Sequence, residues 1–303
     1  MSSWKGKTRG GLTGHRFFII LLKYAGLTFS YFFLRFVVLY FVFFAPKARN
    51  PVFWYFRNIH GFNRLKSTRY LFINFYVLGR VLLDKVALLA GFSTKFTFDF
   101  DGEKYLHQMA EGEGGFLIGA HIGNWEIAGQ LLERIQTRVH IVMVEAEHER
   151  IKDLLDEVMI KKSMDIITIK DDFSHLIEIK NALDNHEIVA IHGDRFLEGA
   201  KTITGKLLGR EALFPYGPFF MALKYNRPVS FVSAVKETDT HYHFYATQPR
   251  KYGSSGNVAE KDRQLKKIVN DYTDEMGRIL QMVPEQWFNY YYFWSLRNNE
   301  MEK

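Results

Sequence analysis

The run Gly115-Phe116-Leu117-Ile118-Gly119-Ala120, closing on His121, is the stretch that most constrains this chain. It is short, apolar and bounded by glycine, which reads as a strand buried on both faces in a parallel sheet. Similar runs follow at 139–144, 165–169, 188–191 and 228–235, and helical patterns lie between them at 148–163 and 173–183. A long helix is expected over 261–282, with Leu265, Ile268, Tyr272, Met276 and Ile279 inward. Phe96 to Phe100 alternates as a strand, and His241 to Thr247 is expected to be an antiparallel edge. Strands alternating with helices predict an α/β fold with a mainly parallel, mixed sheet flanked by helices.

The first third has another character. Residues 1–16 are basic, with Lys5, Lys7, Arg9, His15 and Arg16, and Phe17 to Ala45 is apolar apart from Lys23 and Arg35. About 20 apolar residues suffice to span a bilayer. Positive charge flanks both sides, however, with Lys47, Arg49, Arg57, Arg64, Lys66 and Arg69 beyond the stretch. The charge asymmetry that orients a span is therefore missing. A helix lying in the membrane interface, with Lys23 and Arg35 snorkelling, fits the charges as well as a span does. A second amphipathic helix, 70–89, is expected to place Leu71, Phe75, Leu78 and Leu82 on one face.

The 28 Phe and 16 Tyr exceed the needs of one soluble core. Beside them a net charge of +7 points to an anionic membrane surface rather than nucleic acid. With no Cys, disulfides, thiolate catalysis and Cys-based zinc sites are excluded. No Gly-x-Ser-x-Gly elbow, P-loop or dinucleotide-binding glycine turn is present. His241 and His243 share a strand face, a spacing metals use, but no third ligand is evident and no metal is expected.

Reactive groups of open α/β sheets collect beyond the carboxyl ends of the strands, where His121 lies. Glu126 follows five residues later, across a turn that Gly123 and Asn124 permit. This spacing suits a general base, His121, with a carboxylate that orients the ring and stabilises the imidazolium. The pair alone is equally consistent with a strand-end His bonded to backbone and a solvated first-turn acid.

Ala120-His121-Ile122-Gly123-Asn124-Trp125-Glu126 resembles the His-x4-Asp/Glu motif of the lysophospholipid acyltransferase superfamily, in its lipid A late acyltransferase-like branch. That branch also holds the phosphatidylinositol mannoside acyltransferases. Ile191-His192-Gly193-Asp194-Arg195, Phe214-Pro215-Tyr216-Gly217-Pro218 and Pro284-Glu285-Gln286-Trp287-Phe288 follow in the same order, so the resemblance covers roughly residues 10–296. It implies His121 and Glu126 as catalytic residues. It places substrate binding on Asn124, Asp194, Arg195, Lys206, Arg210, Pro215 and Gly217.

The segment 206–218 is expected to be a loop lining the acyl channel, its Lys206 and Arg210 either holding phosphate or simply solvated. Tyr216 stands where the glycerolipid branch carries a Glu, which argues against glycerol 3-phosphate as acceptor. His192 has no counterpart and is expected to be structural. Backbone amides near Gly123, or Arg195, are candidate oxyanion donors by analogy with other acyl transfers.

The implied organisation is a basic segment at 1–16, a membrane-spanning or interfacial helix at 17–45 and a catalytic domain at 46–303. The implied activity is acyl transfer from acyl carrier protein or acyl-CoA to a hydroxyl or amine of a lipid or glycolipid, such as a lipid A precursor. It needs no cofactor and takes place at the cytoplasmic face of the bacterial inner membrane. Rival readings are a metal-dependent phosphoesterase built from His121, His192 and Asp194, and a non-catalytic membrane-associated protein of the same fold.

Overall fold

The apolar run at 115–119 forms β2 (Gly115–Gly119), buried along its whole length in the computed structural model. Its backbone groups are satisfied by parallel neighbours on both sides, β5 (Ile188–His192) and β8 (Val229–Lys236). β3 (Val139–Val144) pairs in parallel with β5 and with β4 (Met164–Ile169). β9 (His241–Ala246) runs antiparallel to β8. β1 (Thr97–Asp101) lies outside β9 and parallel to it, giving a seven-stranded sheet in the order β1-β9-β8-β2-β5-β3-β4. β9 is thus antiparallel as expected but is not the edge. Phe98 and Phe100 of β1 stack on Tyr242 and Phe244 and cover that side of the sheet.

The structure describes residues 12–89, 96–124, 127, 135, 137–144, 164–170, 172–253 and 256–294. The basic run at 1–11, Glu126 and the helix expected over 148–163 lie outside them.

The helices α4 (Glu103–Glu111), α5 (Ser174–Asp184), α6 (Tyr216–Tyr225) and α7 (Val258–Met282) flank the sheet. Tyr272 of α7 packs its ring on Phe214, Phe219 and Phe231 in the main core. A second correction concerns residues 206–218, which are not a loop: 206–215 belong to a hairpin and 216–218 open α6. β6 (Thr202–Leu207) pairs antiparallel with β7 (Arg210–Pro215). Leu208 and Gly209 both have positive φ, 49° and 84°, the backbone of a two-residue turn whose twist matches a hairpin.

The N-terminal third is α1 (Leu12–Phe44), α2 (Pro46–Asn58) and α3 (Arg64–Leu89). α1 is broken at Gly26, where φ is 76°. From there Tyr31, Leu34, Val38 and Val42 recur on one buried stripe. Leu34 fits over Gly79 of α3, where a Cβ would come within 2.7 Å of it, so α1 and α3 approach closely. The opposite stripe of α1, including Phe29, Phe32, Phe36, Tyr40, Phe43 and Phe44, is exposed. Residues 17–44 are the one helical stretch among the described residues long and apolar enough to cross a membrane.

α3 differs from expectation. Leu71 and Phe75 are buried but Leu82 is 45% exposed, because Asn74 and Asp84 turn inward instead. Asp84 accepts from Tyr31 of α1, Lys236 of β8 and Tyr242 of β9, a sealed cluster at the junction of four elements.

Candidate active site

β2 and β5 are neighbours in register, Gly119 opposite His192, so the residues beyond both strands meet on one rim. Gly193 donates its amide to the Gly119 carbonyl at 2.9 Å. A Cβ at Gly193 would stand 2.9 Å from Ile118 Cγ2, so glycine lets β5 close against the core before Asp194. His121 Nδ1 donates to Asp194 Oδ1 at 2.8 Å, and the His121 amide donates to Oδ2 at 3.1 Å. With Nδ1 donating, the basic lone pair of the ring lies on Nε2. The His121 side chain is 15% exposed and that of Asp194 is 1% exposed. Burial works against the Asp194 charge. The His121 ring and the Arg195 guanidinium outweigh it and hold the carboxyl well below the usual carboxylate range.

The turn after His121 is clamped from two sides. Gly123 donates its amide to Gln286 O at 2.9 Å, and Asn124 donates to Ala234 O at 2.7 Å. Gly123 has φ 64°, and a Cβ there would sit 1.9 Å from Ala234 O, so only glycine fits this approach. The amides of His121, Ile122, Gly123 and Asn124 all donate to protein acceptors, so these four are already engaged in holding the turn.

Asn124 is 1% exposed, and its side chain donates to Tyr242 Oη at 3.3 Å and accepts from the Ile127 amide at 3.3 Å. These bonds brace the turn. Arg195 Nη2 donates to Phe288 O at 2.6 Å and so fastens the C-terminal segment to the rim. That segment was expected only as a motif, without a chemical part. In the fold the Phe288 amide donates to His121 O at 3.0 Å, and Trp287 Nε1 donates to Asp194 Oδ2 at 3.2 Å. Only the indole, a donor without an acceptor role, hinted at this in the sequence.

The remaining predicted site residues have other surroundings. Lys206 is exposed on β6 opposite Glu211, and Arg210 is exposed with its guanidinium 5.7 Å from the Trp54 ring. Pro215 is buried at the start of α6, and Gly217 is exposed in its first turn. Tyr216 stacks on Phe220, and Lys201, a cation absent from the predicted set, lies 3.8 Å from the Tyr216 ring.

His192 was expected to be structural; its ring is 4.2 Å from that of His121, edge-on. His121, His192 and Asp194 each bring a donor atom within 4.8 Å of the others, a spacing compatible with a metal ion. In this arrangement both Asp194 oxygens accept from N–H donors, Oδ1 from the imidazole and Oδ2 from the His121 amide and the Trp287 indole.

An imidazole held by a buried carboxylate beyond the parallel strands has the geometry of a general base toward an O–H or N–H group. The model of the bacterial lipid A biosynthesis acyltransferase family matches residues 83–294, and the chain belongs to that family. The match spans the rim, the hairpin and the C-terminal segment. A crystal structure of the 1-acyl-sn-glycerophosphate (LPA) acyltransferase PlsC from Thermotoga maritima is similar with a TM-score of 0.36 and 15% identity, over 80% of this chain and 96% of that one. At that level of similarity nothing is transferred from it. No curated protein matches in sequence.

Proposed function

We propose that this protein moves a fatty acyl chain from the thioester of acyl carrier protein or acyl-CoA to a hydroxyl or amine of a membrane lipid or glycolipid, such as a lipid A precursor. The observation that carries the reading is the 2.8 Å bond between His121 Nδ1 and Asp194 Oδ1. His121 Nε2 takes the acceptor proton as the acceptor oxygen or nitrogen forms its bond to the thioester carbonyl carbon. The carbon–sulfur bond then breaks and the thiolate leaves with the proton from His121. Asp194 fixes the ring tautomer and offsets the charge of the imidazolium. Glu126 is the second carboxylate assigned to that charge, on the family motif. No cofactor and no covalent enzyme intermediate take part.

The exposed aromatic stripe of α1 supports docking on a bilayer, with the acceptor drawn from the membrane. Exposed Lys23 and Arg35 on the same helix suit an anionic leaflet, and the net charge of +7 suits both that surface and an acidic carrier protein. We assign the protein to the cytoplasmic face of the bacterial inner membrane, where carrier-bound acyl chains are available.

The test is lipid mass spectrometry of the native cell with and without the gene, complemented by wild type, His121→Ala or Glu126→Ala. One lipid should lose one acyl chain and regain it only with wild type, while both variants still sediment with membranes. An unchanged lipid profile, or full rescue by both variants, would refute the reading.

A further inference from the structure

We propose that Trp287 is a positioning residue for the His121–Asp194 pair, an inference that rests on the acyl-transfer reading of that pair. A carboxylate can turn about its own axis, and the direction of the His121 ring depends on how Asp194 is held. Oδ1 receives the imidazole, so the rotation is set at Oδ2. Two donors meet there, the His121 amide at 3.1 Å and the indole Nε1 of Trp287 at 3.2 Å. The amide belongs to the residue being oriented. The indole is the donor that comes from elsewhere in the fold.

Trp287 is itself held firmly. It is 2% exposed, with edge-on ring contacts to Tyr55, Phe293 and Trp294 at 5.3, 4.9 and 5.6 Å. Its carbonyl accepts from Asn74 Nδ2 of α3 at 3.0 Å, and the same side-chain nitrogen donates to Glu285 O at 2.8 Å. Its backbone bridges Ile122, the residue after the base, while the Phe288 amide holds His121 O. The C-terminal segment therefore grips His121 by its main chain and Asp194 by an indole. A buried indole N–H needs an acceptor in any protein. Here the acceptor is the charged carboxylate of the reacting pair, and charge-assisted bonds are the stronger ones.

Trp287→Phe keeps an aromatic ring in the cage and removes the donor together with the volume of the second ring, so its stability is measured alongside its rate. With purified enzyme, kcat should fall about tenfold, the loss of one hydrogen bond to a charged group, while KM for acyl donor and acceptor stays within about twofold. In nitrogen-15 spectra the ring signals of His121 should shift in this variant. A second measurement avoids the variant altogether if it does not fold: in otherwise wild-type protein, Asp194→Asn should move the indole N–H resonance of Trp287. The inference is overturned if folded Trp287→Phe retains wild-type kcat with unchanged His121 signals, or if the indole resonance ignores Asp194→Asn. Wild-type enzyme inactive with every acyl donor would instead overturn the acyl-transfer reading, and the ring signals would still decide the role of Trp287.

Discussion

Asp194 and Asp84 are both buried carboxylates facing a basic partner, yet the fold treats them in opposite ways. Among the described residues the Asp194 carboxylate accepts from N–H donors, and one of them belongs to a ring that reaches the surface. Its charge is favoured despite burial. Asp84 accepts from Lys236 and from the hydroxyls of Tyr31 and Tyr242, all of them buried. For Asp84 burial outweighs Lys236 and raises the carboxyl's affinity for its proton. Burial likewise lowers Lys236 to about 8, although Asp84 pulls the other way. A polar cluster with one member open at the rim can exchange a proton with a molecule bound there. A sealed one ties α1, α3, β8 and β9 together and has no route to a substrate.

The sharpest way to break this comparison is to remove each charge. Asp194→Asn keeps the shape but not the tautomer preference, and kcat should fall about 10³–10⁴-fold in a protein that still folds. The same variant carries a pH signature. The folded-state value of Asp194 lies below its ordinary 3.8, so its stabilising contribution is complete above that value and fades as pH falls below it. Acid titration of wild type and variant by circular dichroism should show the extra loss only in wild type. Equal acid sensitivity would contradict the placement of the charge.

The counterpart is Asp84→Ala, which leaves the Lys236 ammonium buried beside its lost partner. Unfolding should become easier by about 3–5 kcal/mol, measured by denaturant in detergent, with kcat unchanged in the protein that remains folded. Adding Lys236→Met should recover much of that loss, because the unpaired charge is then gone. Loss of kcat with stability intact would mean that the sealed cluster takes part in chemistry.

Gly123→Ala tests the turn that lies between the two regions. A Cβ there meets a carbonyl oxygen at 1.9 Å at a φ of 64°. About 3 kcal/mol of stability should be lost, from left-handed strain together with overpacking against β8. Activity should fall with it, since the displaced backbone carries His121. Thermal melts and steady-state rates on the same sample check both. A fully active, equally stable variant would show that the turn is looser than its bonds imply.

How much of this was legible in the string follows from range. His121 was readable because a local apolar run ends on it. Asp194 was readable as an acid in a second motif, but not as the partner of Nδ1, because 73 residues separate the two and only the pairing of β2 with β5 joins them. Trp287 stands 93 residues from Asp194, and nothing local marks its indole as a donor to the site. The hairpin is hidden because Gly209 and Pro215 read as breakers, whereas Gly209 completes the turn and Pro215 ends the strand. On α3, periodicity places Leu82 on the packed face, whereas Leu82 is exposed and the buried neighbour is Asp84, a polar residue that an apolar pattern cannot pick out. α1 is apolar on nearly every side, and no pattern could name the face that packs.

Tyr242 is where the two regions touch. Its hydroxyl donates to Asp84 and accepts from Asn124 Nδ2 at 3.3 Å, so it links the sealed cluster to the turn that carries His121. Gln286 makes a second link, accepting from the Lys236 amide at 2.8 Å and from the Gly123 amide at 2.9 Å. If the clusters are separate in function, the hydroxyl is a brace and nothing more. Tyr242→Phe then costs about 1–2 kcal/mol, because Asp84 keeps Lys236 and Tyr31, while kcat stays within about twofold of wild type. A drop in kcat of tenfold or more at unchanged stability would join the regions into one. It would make the N-terminal helix, through Tyr31, part of what sets the position of the base.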